Sequence, residues 1–205
     1  MSATPMTRSI LPLLTAATFA VSSAALAQPQ TAAPKAAPKA APKAAAAHPA
    51  ANPLSQATLL GQFGEWGAYT ASPGGKKVCF ALAKPSSSVD NPPNRRTAAN
   101  VVYMFISTRP SDKVKDEVSI LVTGYEFKST TDANLSIGST SFAMYTQKDG
   151  AWVKNSSDEK NMVEDMRRGS DAVVKATTSR GTQTTDTFSL KGIVQALDRV
   201  AQECK

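Results

Sequence analysis

A proline recurs every four residues at Pro34, Pro38 and Pro42, inside the run PKAAPKAAPKAAAAHPAANP, and this period confines folding to what lies beyond it. Proline fixes φ and carries no N–H donor, so the intervening alanines cannot form a helix. The run is predicted to be extended polyproline II, with Lys35, Lys39 and Lys43 repelling one another into solvent. Its roughly 26 residues would reach up to ~80 Å. Ahead of it, Arg8, an apolar run over 10–21 and Ala25-Leu26-Ala27 read as the three parts of a secretory signal peptide. The apolar run is short for a bilayer span. The chain is therefore predicted to divide into a cleaved signal peptide (1–27), a disordered Ala/Pro/Lys-rich stalk (28–55) and a β-rich globular domain (56–205).

Roughly 150 residues remain for the domain, enough for one real core. The formal charge of +7 falls to +3 once Arg8 and the three stalk lysines are set aside. The basicity is thus concentrated on the stalk, which reads as a spacer or, more sharply, as a cationic arm for an anionic envelope polymer or phospholipid head groups. Export argues against nucleic acid as a partner, and no transmembrane-length apolar run follows Ala27. No cysteine lies near the cleavage site, so a lipid anchor is not expected. The expected location is periplasmic, secreted or cell-surface. In an oxidising compartment the two cysteines, Cys79 and Cys204, are expected to pair. A bridge across 125 positions would contribute about 4 to 5 kcal/mol by chain entropy.

Short alternating apolar segments between turn signals dominate the domain. Phe63, Trp66 and Tyr69 share a helical spacing, but Gly61, Gly64 and Gly67 interrupt it, so an irregular lead-in or edge strand is expected. Strands are predicted over 77–83, 100–108, 117–125, 135–137, 141–147, 151–154, 171–178 and 183–190. The 100–108 segment is apolar on both faces and is predicted to be central, forming a hairpin with 117–125 across 109–116. Residues 86–94 (SSSVDNPPN) read as a loop. Asp149-Gly150 and the run 179–182 read as hairpin turns. Ser156 and Glu159 are spaced as a capping box for a short helix, with Gly169 at its C′ position. Ile193, Val194, Leu197, Val200, Ala201 and Cys204 predict one buried face of a closing helix. With about seven strands and no βαβ alternation, the expectation is a mainly β fold. It would be an antiparallel β-sandwich or compact β-barrel, with a short helix and a C-terminal helix packed on it.

The domain lacks histidine; His48 lies in the stalk. That argues against Ser-His-Asp and Cys-His catalysis and most zinc sites, and no cofactor or metal site is predicted. No phosphate loop, dinucleotide fingerprint or calcium loop occurs. Asp158, Glu159, Glu164 and Asp165 are the candidates for a two-carboxylate hydrolase, but a solvated helix face fits them better. Asp132, Asp149 and Asp186 read as turn residues. Trp66, Tyr69, Tyr103, Tyr125, Tyr145 and Trp152 could form a glycan or peptide platform, although strand aromatics more often pack. Trp152 follows a tight turn and is the one expected to be partly exposed. Arg95-Arg96 and Arg167-Arg168 are paired cationic spots for an anionic partner, against a default of solvation. The predicted binding residues are therefore Trp152, Arg95, Arg96, Arg167 and Arg168.

An ordered set of short motifs spans 63–205. Gly64-Glu65-Trp66 with Tyr69 precedes Cys79-Phe80, followed by Phe142-x-Met144-Tyr145, Ala151-Trp152 and Glu164-x-Met166-Arg167-x-Gly169. Ser179-Arg180-Gly181-Thr182, Phe188-Ser189-Leu190-x-Gly192 and the helix ending at Cys204 complete it. This order resembles the invasion-associated locus B family of alphaproteobacterial envelope proteins. Better-known members carry additional cysteines and a longer central segment, so the chain would be a divergent branch. The resemblance implies an exported β-rich domain without known enzymatic activity; one pathogenic member is associated with entry into host red cells. The matched motifs look structural and carry over no functional site. The expected function is a non-catalytic envelope protein whose β-domain, on a basic stalk, binds an envelope polymer, an outer-membrane component or a host-cell surface protein. The alternative is a carboxylate-dependent envelope polysaccharide hydrolase, which requires a cleft with facing acids and a raised pKa. A third reading, a chaperone-like protein, requires exposed apolar strand edges.

Overall fold

The computed structural model describes residues 54–205. The predicted signal peptide and nearly all of the predicted stalk, including Lys35, Lys39, Lys43 and His48, lie outside the described residues. Six strands come first: β1 (Thr58–Phe63), β2 (Trp66–Ala71), β3 (Val78–Ala83), β4 (Ser87–Asn91), β5 (Val102–Arg109) and β6 (Val114–Val122). Then follow β7 (Ala133–Ile137), β8 (Thr140–Gln147), β9 (Gly150–Val153), α1 (Ser156–Arg168), β10 (Asp171–Thr177), β11 (Gln183–Ser189) and α2 (Ile193–Glu203). All eleven strands join one antiparallel sheet, in the order β1-β2-β3-β5-β6-β9-β8-β7-β10-β11-β4. The mainly β antiparallel architecture with two helices is as expected, with more strands than the alternation alone indicates.

Part of the surplus is the hairpin β1–β2, in the stretch expected to be an irregular lead-in or edge strand; β1 is an edge of the sheet. The glycines are accommodated: Gly64 turns the chain at φ +58, and Gly61 sits at the register shift after Leu59. The rest is β4, in the stretch expected to be a loop. It pairs with β11 from Ser87↔Thr187 to Asn91↔Gln183. Small polar residues form a strand there because an existing edge supplies the backbone partners. The hairpin between β5 and β6 is tighter than expected, turning through Pro110–Asp112 with Lys113 at φ 55.

The sheet rolls up on its apolar face. The Trp66 indole N–H on β2 donates to the Ser189 carbonyl on β11 at 2.9 Å. One inner cluster draws Trp66 from β2, Ile106 from β5, Val118 from β6, Val174 from β10 and Phe188 from β11. β3 and β4 are separated by only three residues, yet β3 lies inside the sheet order and β4 at its far edge. The chain itself crosses the seam, as in a rolled barrel-like sheet. On the outer face, Phe80, Leu82, Tyr103 and Phe105 form a second apolar cluster, so β3 and β5 are apolar on both sides. Edge strands β1 and β4 carry the exposed Leu59 and Val89.

α2 packs on β1, β2 and β3. Its buried face is Ile193, Ala196, Leu197 and Val200, whereas Val194 and Ala201, expected on that face, are exposed. Gly192 enters the helix at φ +95, where a Cβ would come 1.9 Å from the Phe63 carbonyl oxygen. Only glycine fits that approach. Cys204, at the end of α2, is bonded to Cys79 on β3, with their Cα atoms 5.9 Å apart. α1 packs on β6, β7 and β9. Its N-cap is Asn155, with no side-chain cap bond, so the expected Ser156/Glu159 capping box does not form. Gly169 has φ −80, not the left-handed C′ geometry expected. Glycine suits the position because a Cβ would meet Ile137 at 2.7 Å. No helix among the described residues is long and apolar enough to cross a membrane.

Candidate functional site

Three connections converge at a cleft of about 620 Å³: 92–100 after β4, 124–126 after β6, and 178–182 between β10 and β11. The volume lies in the range of small-ligand sites. Backbone and side-chain bonds tie the loops together. Ser179 N–H donates to the Glu126 carbonyl at 2.8 Å, and Phe127 forms a β-bridge with Thr178. The Asn100 amide donates to the Thr123 carbonyl at 3.2 Å. Gly124, at φ +74, makes room for that amide; a Cβ would lie 2.5 Å from it.

The floor is a buried charge cluster. Alternation on β11 turns Thr184, Asp186 and Phe188 inward. On β4, Ser88 faces Asp186 across the pair, and its hydroxyl donates to the carboxylate. Arg96 donates through Nη1 to both Asp186 oxygens, at 2.8 and 3.0 Å, and through Nε to Asp90. The second Asp90 oxygen accepts the backbone N–H groups of Arg95 and Arg96, at 3.1 and 2.8 Å. Asp90 thereby folds the loop back so that Arg96 points inward and Arg95 outward. The side chains of Arg96, Asp90 and Asp186 are 9%, 8% and 3% exposed. Burial pushes the Asp186 carboxyl up, against the Ser88 hydroxyl and Arg96, which hold it down. The Arg96 guanidinium lies 6.0 Å from the Tyr125 ring centre. Burial, reinforced by Asp186, also pushes the Tyr125 hydroxyl up; that buried hydroxyl has no hydrogen-bond partner in the structure.

The rim carries Arg95 and Arg180, both exposed. The other described arginines hold carboxylates: Arg96 as above, Arg109 with Glu117, Arg167 with Asp198, Arg168 with Asp165 and Arg199 with Glu203. Among the described residues, Arg95 and Arg180 alone of the arginines have no ion-pair partner.

The structure redistributes the residues singled out from sequence. Arg95 is on the cleft rim and Arg96 in its floor, buried rather than solvated. Arg167 ties α1 to α2 through Asp198 at 3.1 Å, and Arg168 holds Asp165 on its own helix, so neither joins the cleft. Trp152 is 8% exposed, stacked on Tyr145 at 5.6 Å, and not the exposed aromatic expected. Pairing of β9 between β6 and β8 folds the indole flat over Gly150, where a Cβ would collide with it at 2.1 Å. Trp66, Tyr69 and Tyr103 likewise pack in the two apolar clusters. Asp186 is a mid-strand residue rather than a turn residue. Its inward position in the alternation Thr184, Asp186, Phe188 was the available signal, since a buried acid on a strand requires a cation.

A smaller pocket, about 400 Å³, lies between α1 and β6, lined by Asp116, Glu159 and Glu164 among others. β9 pairs with β6 only from Ser119 to Leu121, and just beyond it the Val118 N–H donates to Glu159 at 2.9 Å. Burial outweighs that bond and pushes the Glu159 carboxyl up to about 7. Glu159 is thus not part of a solvated face. Asp158, Glu164 and Asp165 match that expectation better, bonded to Asn155, Lys160 and Arg168 along the helix. Among the described residues no cluster of potential metal ligands occurs.

The family model described as Invasion associated locus B (IalB) protein matches residues 66–201, a span that contains both pockets. No curated protein and no solved structure matches the chain.

Proposed function

The chain belongs to the invasion associated locus B family, and from that premise we propose that it is a non-catalytic exported envelope protein whose domain binds an envelope or host-surface component. The observation that carries the reading is the three-loop cleft, whose loop 92–100 is anchored by the buried Asp90–Arg96–Asp186 cluster. Loops held on a rigid sheet are a usual place for recognition. Export is supported by the signal-like segment 1–27 and by the Cys79–Cys204 bridge, which suits an oxidising compartment. The basic run 28–55 serves as a stalk or cationic tether.

The test is a pull-down with the chain from Gln28 onward and with the domain from Leu54 onward, against cell-wall sacculi, outer-membrane vesicles and host-cell membranes. Capture by both chains supports recognition by the domain. Capture only by the longer chain reduces the function to an electrostatic tether, and capture by neither removes the binding reading.

A second reading, the carboxylate-dependent polysaccharide hydrolase, is favoured by one observation. Glu159 titrates near neutrality in a pocket that also contains Asp116 and Glu164. Release of reducing ends from envelope polysaccharide, abolished by Glu159→Gln, would move the assignment there.

A further inference from the structure

We infer that the three-loop cleft binds an acidic saccharide, with a sugar carboxylate held between Arg95 and Arg180 at the rim and the hydroxylated ring lying over the polar floor. The inference rests on the binding reading above and specifies its ligand.

Charge placement decides where an anion can sit. In the floor one guanidinium, Arg96, already faces two carboxylates, Asp90 and Asp186. A further negative group there would add repulsion to desolvation. At the rim the balance is reversed. Arg95 and Arg180 are exposed, and among the described residues neither has a carboxylate partner. Arginine's planar donor fork matches a carboxylate in two-point fashion. Glu126 also lines the cleft, so the rim charges amount to two guanidiniums and one carboxylate. That balance suits a singly charged sugar acid better than a phosphate dianion.

The rest of the lining includes neutral polar residues, the exposed Asn94 and Ser179, the half-buried Asn100 and the buried Thr182, beside the Tyr125 ring. Amides and hydroxyls can both donate and accept, as a ring bearing several hydroxyls requires. The Asn100 amide is already held by Thr97 and Thr123, but a flat apolar ligand would strip water from the Asn94 and Ser179 side chains without replacing its hydrogen bonds. The loop geometry is set by interior bonds, from Asp90 to two backbone N–H groups and from Asn100 to Thr123. The rim guanidiniums take no part in those bonds, so the recognition groups can be altered without loosening the cleft.

The test is calorimetric titration of the full mature chain, from Gln28 onward, with defined sugars. The probes are a glucuronic-acid disaccharide, the neutral disaccharide of the same linkage, a sialylated trisaccharide and glucose 6-phosphate. At least one carboxylated probe should bind about tenfold or more tightly than the neutral one. Preference for the hexuronate indicates an envelope polymer as the source, and preference for the sialylated probe a host glycan. Arg95→Ala with Arg180→Ala should weaken that binding about tenfold or more, at unchanged melting temperature. Arg95→Lys with Arg180→Lys should retain part of it, because charge persists while the fork is lost. Equal affinity for acidic and neutral sugars, tighter binding of glucose 6-phosphate, no binding of either carboxylated probe, or insensitivity to the double alanine change each overturns the inference. Should the double-alanine domain still be captured by envelope or host membranes, the binding function stands and only this assignment of the site falls.

Discussion

Arg95 and Arg96 are adjacent in the chain and opposite in role. The Asp90 carboxylate accepts both backbone N–H groups and so turns one side chain into the floor and leaves the other at the rim. Removing Arg96 strands two buried carboxylates, Asp90 and Asp186. Arg96→Ala is therefore expected to destabilise the domain by about 3–5 kcal/mol. Arg95→Ala should stay within about 0.5 kcal/mol of the parent, since its side chain supports nothing. Urea denaturation of the two variants measures both, and similar small effects would refute the clamp. The doublet was legible as a cationic spot, but the division of labour was not. It depends on Asp186, 90 positions away in sequence and brought within 2.8 Å only by pairing of β4 with β11.

At the scale of elements, α1 is held to β6 by an acid that titrates in the neutral range. Folded Glu159 keeps its proton up to about pH 7, whereas its ordinary value is 4.5. Between those values the folded chain binds more protons than the unfolded one, so this group's contribution to stability falls as pH rises through the window. Glu159→Gln should leave stability unchanged near pH 4 and raise it at pH 8. Because the group is only half-buried and solvent screens it, about 1–2 kcal/mol is expected. Thermal denaturation across pH 4 to 8 tests this; parallel curves for parent and variant would show that Glu159 does not titrate in that window. Helix and strand patterns gave the positions of α1, α2 and most strands directly, because each has an apolar period of its own. They did not give β4, whose polar sequence becomes a strand through its neighbour, nor the half-buried Glu159, whose capping-box spacing suggested another partner.

For the whole molecule, the Cys79–Cys204 bridge joins an inner strand to the closing helix across 125 positions. Chain entropy puts its contribution at about 4 to 5 kcal/mol, and removal of native bridges typically costs 2–5 kcal/mol. Cys204→Ser should therefore lower the urea midpoint substantially and make it insensitive to reductant, while the parent shifts on reduction. A parent midpoint indifferent to reductant would mean that the rolled sheet and the packing of α2 suffice without the bridge. The amino-acid sequence by itself determined the β class, the closing helix and the cysteine pairing. Each follows from local periodicity, from composition, or from the single pairing that two cysteines allow. Only the tertiary structure decided the rolling of the eleven strands into one sheet, the burial of Trp152 and the meeting of Asp90, Arg96 and Asp186 beneath two unpaired arginines. These depend on which strand edges meet, a long-range choice driven by shared apolar burial and backbone pairing that no local pattern encodes.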